Sequence, residues 1–451
     1  MKVHFIAIGG SAMHNLAIAL HKKGFEVTGS DDVLFEPSAS RLKKYGILPD
    51  KEGWDPGKIT SDLDAVILGM HAREDNPELL KAQELGLKIY SYPDYIYEQS
   101  KDKLRVVIGG SHGKTTITSM ILHVLQQAGK KFDYLVGAQL EGFETMVGLS
   151  HDAPVIIIEG DEYLASPIDR RPKFHIYKAH IGVISGIAWD HINVFPTFDN
   201  YIDQFRIFAS TIEPNGKLIY SETDEVLDNM VKGLIVDVEK LPYKLPEYII
   251  DNGVTTIRAN EKSYPLQVFG QHNLLNMQAA RLVCEQLGIN SDNFYTYITT
   301  FNGAARRLEL VGKTDSSAIF KDFAHSPSKL TATINAVKAQ FPDRKLIACI
   351  ELHTFSSLNK EFLKEYAGSM DKADTAIVFI DKKTFAQKKM EPYSADAVKQ
   401  AFANGNLLFF DDPAALLTQL QGLHMADSNL LMMSSGNFGG IDLIALKNNL
   451  L

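Results

Sequence analysis

From Val106 to Thr118 the chain reads VVIGGSHGKTTIT, and no other stretch restricts its fold so severely. An apolar strand runs into two glycines, then Ser111, His112, Gly113, Lys114, Thr115 and Thr116, and then an amphipathic helix, TSMILHVLQQAG. This is the pattern of a phosphate-binding loop. Backbone N–H groups from Gly110 to Gly113, the positive end of the helix and the Lys114 ammonium converge on a polyphosphate, and a hydroxyl remains to hold magnesium. Ile108 stands where the general pattern has its first glycine, so the motif here is the shorter Gly110-x-x-Gly113-Lys114-Thr115-Thr116. Strand, glycine turn and helix in this order belong to a doubly wound α/β sheet that binds its ligand at the C-terminal strand ends.

A chain of 451 residues makes two or three such domains. Three are expected: 1–102, 103–304 and 305–451. A net charge of −9, without long basic runs, argues against a nucleic-acid binder and makes the anion site a local feature. Cys284 and Cys349 are too far apart for a zinc spacing, no disulfide framework is expected, and a reducing cytoplasm fits. The opening MKVHFIAIGG reads as a first strand, being too short to span a membrane and lacking a signal-peptide pattern. The expectation is a cytoplasmic enzyme of small molecules, monomer or weak dimer, with neither nucleic-acid nor membrane partners.

The first hundred residues alternate strands and helices, which implies a mostly parallel sheet. Gly9, Gly10, Ser11, Ala12 and Met13 form the first strand-to-helix turn. A dinucleotide or nucleotide-sugar phosphate would bind there, unless the glycines serve only tight strand-helix packing. Asp31 and Asp32 end the second strand, where an acidic side chain meets a ribose or base, or caps a helix. His71 follows the third strand, and the charged YEQSKDKLR reads as a strand-poor linker. Beyond the phosphate loop, APVIIIEGDEY places Glu159, Asp161 and Glu162 at the end of a buried strand, suited to magnesium or to a solvated acidic turn. HIGVISGIAWDHINVF places Asp190 and His191 after another strand.

Residues 215–268 are strand-rich but less readable. A helix then starts near Asn273, with His272 and Asn276 beside its first turn. Asparagine amides both donate and accept, which suits the edge of an adenine, though a plain Asn cap has the same sequence. Arg306 and Arg307 stand at a domain boundary, suited to charge on a transferring phosphoryl group or to a surface ion pair. The last part of the chain returns to α/β alternation. Asp322 and His325 lie on its first strand-to-helix loop, His353 on the second, and Ser435 and Asn437 on the last.

Taken together and in order, IAIGGSAM, GGSHGKTT, EGDEY with WDHINVF, GQHNLLN, and RRLEL followed by DFAHSPSK resemble the Mur ligases along the whole chain. These are ATP-dependent amide-forming enzymes of peptidoglycan precursor synthesis. The resemblance implies an N-terminal Rossmann-like nucleotide-sugar domain, a central ATPase-type domain and a C-terminal Rossmann-like acceptor domain, with ATP and Mg2+ as cofactors. It assigns Lys114 to the β and γ phosphates, Thr115 to one magnesium, and Glu159 and His191 to a second. His272, Asn273 and Asn276 would hold adenine, Arg306 or Arg307 the γ phosphate, and Asp322 the ribose or the domain interface. Gly9 to Met13, Asp31, Asp32 and His71 would meet the nucleotide sugar. His325, His353, Ser435 and Asn437 would face the amine donor.

Within the family, GSDDVLFEPSAS, EGDEYLASPIDRRPKF and MMSSGNFGGI are most similar to members that attach a recycled tripeptide to UDP-N-acetylmuramate. Members that add a single L-alanine are the alternative. Ala7 and Ala12 replace glycines of the usual first loop, and Ser326 follows His325 where relatives often have a second histidine. ELHTFSS replaces a loop containing proline and arginine that bears on the acceptor. The carbamylated lysine of some members has no evident counterpart, Arg206 being the nearest basic residue after His191. A nicotinamide-dependent oxidoreductase would account for the first glycine turn but not for Lys114, Glu159 and His191. A non-catalytic nucleotide-binding protein would show a missing magnesium ligand.

Overall fold

The computed structural model describes residues 1–189, 194–304, 307–388 and 390–451. Asp190, His191 and Arg306 lie outside the described residues. The chain divides into two compact units, one built on Met1–Ile187, Thr197–Lys244 and Ala279–Tyr297, the other on Leu245–Gln278 and Ile298–Leu451.

The first unit holds two sheets. Its N-terminal sheet is parallel, with strands β1 (Lys2–Ile6), β2 (Glu26–Ser30), β3 (Ala65–Leu68) and β4 (Ile89–Ser91) in the order β2-β1-β3-β4. Helix Ser11–Lys22 connects β1 to β2 and is buried all round from Met13 to Leu20, with His14 and Asn15 among the covered side chains. The stretch expected as a linker, residues 97–105, is divided between elements: helix Tyr92–Ser100, started by Ser91, whose hydroxyl accepts the Asp94 N–H at 3.3 Å, covers Tyr97–Ser100, a turn follows, and Leu104 and Arg105 already open the next strand. Lys101 and Asp102 are exposed, but Lys103 and Arg105 are buried. The Arg105 guanidinium is buried and donates to the carbonyls of Ser100, Lys101 and Lys103 at 3.1, 3.0 and 3.3 Å, satisfying the open carbonyls at the helix end. Lys103 pairs with buried Asp133 at 2.6 Å.

The central sheet contains β5 (Leu104–Gly109), β6 (Asp133–Leu135), β7 (Val147–Gly148), β8 (Val155–Glu159), β9 (Ile181–Ile184), β10 (Gly216–Ser221) and β11 (Val238–Tyr243). Their order is β11-β10-β9-β5-β8-β6-β7, parallel except for β6 with β7. Val106 to Ile108 and Ile156 to Ile158 have no exposed surface, as strands covered on both faces require. Each such side chain stabilises the fold by roughly 1.5–3 kcal/mol. Because β5 lies between β8 and β9, the phosphate loop emerges between the ends of those strands. The poorly readable segment contains a helix, Glu225–Gly233, capped by Asp224, whose Oδ1 accepts the Leu227 N–H at 3.0 Å.

The second unit begins with an antiparallel sheet of β12 (Tyr248–Asp251), β13 (Val254–Ala259) and β14 (Lys262–Pro265). Its six-stranded sheet contains β15 (Glu309–Lys313), β16 (Ala318–Asp322), β17 (Lys345–Glu351), β18 (Thr375–Phe379), β19 (Leu408–Phe410) and β20 (Ser428–Met433), in the order β15-β16-β20-β17-β18-β19. Only β15 runs antiparallel to its neighbour. With β20 inserted between β16 and β17, the ends of three strands from distant parts of the sequence form one edge, the usual ligand position in such sheets. Among the described residues no helix is long and apolar enough to cross a membrane.

Candidate active site

Gly110 and Gly113 adopt φ values of 124° and 81°, conformations that L side chains rarely take. A Cβ on Gly110 would lie 2.1 Å from Ser185 Oγ, so the loop closes against β9 only with glycine there. Lys114 opens the helix Lys114–Gln127; its ammonium donates to Gly110 O at 2.6 Å and to Glu162 Oε2 at 2.7 Å. Burial pulls the Lys114 pKa down, but the carboxylates of Glu162, Asp161 and Glu159 outweigh it, so the group is held above its ordinary value and remains charged.

Thr115 Oγ1 donates to Glu159 Oε1 at 2.8 Å, and Glu159 Oε2 accepts the Gly137 N–H at 2.7 Å. Burial would raise Asp161, but the ammonium groups of Lys173, at 2.6 Å, and Lys114 hold it below the usual carboxylate range. Glu162, fully buried, uses its second oxygen to accept from Tyr201 OH at 3.1 Å, and Tyr201 OH lies 3.0 Å from Ser111 Oγ.

A cradle that only glycine permits, a buried lysine kept charged, and a hydroxyl beside a carboxylate fit a magnesium-bound polyphosphate, a hard cation with oxygen ligands. Among the described residues no group of three His, Cys, Asp or Glu could hold a metal. Phosphate and water oxygens would therefore complete a shell begun by Thr115 and Glu159.

The next motif lies on helix Gln271–Gln286. Asn273 sits inside its first turn and not at its cap, donating from Nδ2 to Phe269 O at 2.9 Å. Burial pushes the His272 pKa down to about 4, so the ring is neutral near pH 7, and its Nδ1 is buried without a hydrogen-bond partner among the described residues. An orphaned ring nitrogen close in sequence to the nearly buried amides of Asn273 and Asn276 fits a flat nitrogenous ligand. The Arg307 guanidinium lies 4.6 Å from the Phe323 ring centroid, a cation-π contact.

In the N-terminal sheet Asp31 caps no helix. Its Oδ2 accepts the Gly9 N–H at 2.6 Å and its Oδ1 the Asp32 N–H at 2.9 Å, so it holds the first glycine turn in place. Burial pushes Asp31 up to about 6. Ala7, in the usual glycine position, is in the left-handed region at φ 68°. Gly10 is half-buried, Ser11 and Ala12 are exposed at the turn, and Met13 is buried below it. Asp32 and His71 are exposed; the His71 loop passes close to the turn, since a Cβ on Gly69 would lie 2.9 Å from Ala7 Cβ.

At the edge of the C-terminal sheet, Asp322 accepts the Leu308 and Ala324 N–H groups at 2.6 and 2.7 Å. Its pKa is raised by burial against the opposing pull of those donors and Arg307. It thereby fastens the start of the domain. His325 Nδ1 lies 2.9 Å from Phe323 O. Glu351, buried at the end of β17, accepts from Ser434 Oγ and from the Phe438 N–H at 2.8 Å. A Cβ on Gly436 would lie 2.8 Å from Glu351 Oε2 and 3.3 Å from His353 Cγ, so His353 and the final loop stand together. Ser435 Oγ is buried without a partner among the described residues, and Asn437 is exposed. Asn437, Glu309, Lys321 and Asp442 line a cavity of about 410 Å³ on this edge.

Sequence reasoning did not find Tyr201, Ser185, Lys173 or Glu351. Tyr201 and Phe205 are spaced as core residues of an amphipathic helix, and nothing local marks the hydroxyl. Glu351, by contrast, ends an apolar strand as Glu159 does, and the same rule would have found it.

Family models described as the Mur ligase family catalytic domain, the Mur ligase middle domain and the Mur ligase glutamate ligase domain match residues 2–103, 108–284 and 306–436. A UDP-N-acetylmuramate–L-alanine ligase of Caldicellulosiruptor bescii is 32% identical over 395 residues, covering 84% of this chain and 83% of that protein. The crystal structure of a murein peptide ligase from Psychrobacter arcticus superposes with a TM-score of 0.66 at 23% identity, covering 100% of this chain and 98% of that one. A UDP-N-acetylmuramate:L-alanyl-γ-D-glutamyl-meso-diaminopimelate ligase from Neisseria meningitides does so with a TM-score of 0.59 at 25% identity, covering 66% of this chain and 98% of that one. With three α/β domains matched in order and a phosphate loop of the required geometry, the chain belongs to the Mur ligase family of ATP-dependent ligases that form amide bonds.

Proposed function

We propose that this protein joins the lactyl carboxylate of UDP-N-acetylmuramate to the free amine of L-alanyl-γ-D-glutamyl-meso-diaminopimelate, as in peptidoglycan recycling. The observation that carries this reading is the C-terminal cavity of about 410 Å³. Its size lies within the range of small-ligand sites, and Lys321, Glu309 and Asp442 on its wall offer both signs of charge to a zwitterionic peptide. The Neisseria ligase named for the same tripeptide supports it further. The relatives named for L-alanine support a second reading, addition of that single residue.

A carboxylate is a poor electrophile, so phosphoryl transfer to it comes first and gives an acyl phosphate, which the amine then attacks. Magnesium, when bound, would neutralise charge on the phosphates. Lys114 steadies the β and γ phosphates and offsets charge developing during transfer. Thr115 and Glu159 supply the metal's protein oxygens, and His191 joins them in this reading. His272, Asn273 and Asn276 orient adenine, and Arg306 or Arg307 meets the γ phosphate. Gly9 to Met13 receive the nucleotide sugar on a turn that Asp31 holds rigid, with Asp32 and His71 at its rim. His325, His353, Ser435 and Asn437 orient the amine donor. Phosphate release from ATP, required to depend on both UDP-N-acetylmuramate and an added amine, tests the reaction; release without either would refute it.

A further inference from the structure

Tyr201 stands outside every sequence motif of the phosphate site, yet its hydroxyl meets two of them. Helix Phe198–Ser210, started by Thr197, carries the ring inward, where it packs edge-on against Phe205 at 5.2 Å and has no exposed surface. The hydroxyl lies 3.1 Å from Glu162 Oε1 and 3.0 Å from Ser111 Oγ. A phenol has one proton, and an ionised carboxylate can only accept. Tyr201 therefore donates to Glu162 and accepts from Ser111. The other oxygen of Glu162 takes the Lys114 ammonium at 2.7 Å. The chain of contacts runs Ser111, Tyr201, Glu162, Lys114, so that one hydroxyl ties the phosphate-binding backbone to the lysine that must face the same phosphates.

We propose that Tyr201 is the positioning residue of the phosphate site, holding Glu162, and through it the Lys114 ammonium, in register with the Ser111 segment of the loop before nucleotide arrives. This rests on the reading of the loop as the ATP site. A free lysine side chain loses rotamer freedom when it binds a phosphate. Here two of its three N–H groups are already committed, to Gly110 O at 2.6 Å and to Glu162, which lowers that cost and leaves one N–H for the ligand. Removing the Tyr201 hydroxyl changes no charge, so its effect isolates alignment from electrostatics.

The test compares wild type, Tyr201→Phe, Ser111→Ala, the double variant, and Phe205→Leu, which disturbs ring packing but keeps the hydroxyl. Binding of a fluorescent ATP analogue to the full chain is measured alone, alongside melting temperature and the KM values for ATP and UDP-N-acetylmuramate. Tyr201→Phe is expected to weaken analogue binding and raise the KM for ATP on the order of tenfold, with the KM for the sugar unchanged and the melting temperature lowered no further than in Phe205→Leu, which keeps near wild-type affinity. The double variant should be no worse than Tyr201→Phe alone, since both cut one chain of contacts. Wild-type affinity in Tyr201→Phe, or an equal loss of affinity in Phe205→Leu, would overturn the proposal. A wild type that binds the analogue but ligates no amine would overturn the ligase reading alone, and the binding arm would still decide the role of Tyr201.

Discussion

Thr115 Oγ1 donates to Glu159 Oε1 at 2.8 Å, joining the first turn of the phosphate-loop helix to the end of the neighbouring strand β8. The contact exists because β5 and β8 are adjacent and parallel, with Ile108 opposite Glu159 in the register. A hydroxyl and a carboxylate, both hard oxygen donors, are thus fixed side by side at the strand edge beside a lysine held charged by three carboxylates.

Lys114→Ala removes the cation that offsets charge on the transferring group. Ligation should fall by at least about a hundredfold, while binding of UDP-N-acetylmuramate, followed by calorimetry, should be nearly unchanged. Residual turnover close to wild type would remove Lys114 from the role given to it.

Asp31 gives the protein a predictable pH dependence. Its folded-state pKa, about 6, is above the value near 3.8 of a free carboxyl, so between those pH values the native state binds more protons than the unfolded one. The contribution therefore falls as pH rises from about 4 to about 6 and is flat above, by up to about 2–3 kcal/mol. In urea unfolding at a series of pH values, the stability of wild type minus that of Asp31→Asn should decline across this window. A difference that is flat, or that rises, would show that Asp31 is not held protonated by burial.

Glu351→Ala leaves the Phe438 N–H buried without its acceptor and frees Ser434, at a cost of about 1–3 kcal/mol. Because the final loop then loses its anchor, the KM for the amine should rise while the KM for ATP stays as in wild type. Steady-state kinetics with each substrate varied in turn separates the two, and parallel changes in both constants would contradict a local role.

The legible parts of this chain are those where backbone conformation and residue type are bound together. Gly110, Gly113 and Lys114 announce a phosphate loop because no other residues fit its φ values and charge, and the apolar runs of β5 and β8 announce a sheet covered on both faces. Arg105 was not legible: in sequence it belongs to a charged stretch, and only the folded chain supplies the carbonyls that bury it. Tyr201 was hidden for the opposite reason, since an aromatic at helical spacing looks like core and is core, apart from one oxygen. Asp31 lay between these. Its position after β2 suggested a ligand or a cap, but its hydrogen bond to Gly9 depends on the turn passing within reach across the parallel pairing of β1 and β2.

The identity of the amine donor is decided by one comparison: the kcat/KM for ATP- and UDP-N-acetylmuramate-dependent phosphate release with L-alanyl-γ-D-glutamyl-meso-diaminopimelate and with L-alanine. The tripeptide should be preferred by at least about tenfold, because its extra groups can be held in the C-terminal cavity and a single alanine leaves most of those contacts unmade. Turnover with L-alanine alone, and none with the tripeptide, would contradict the proposed function.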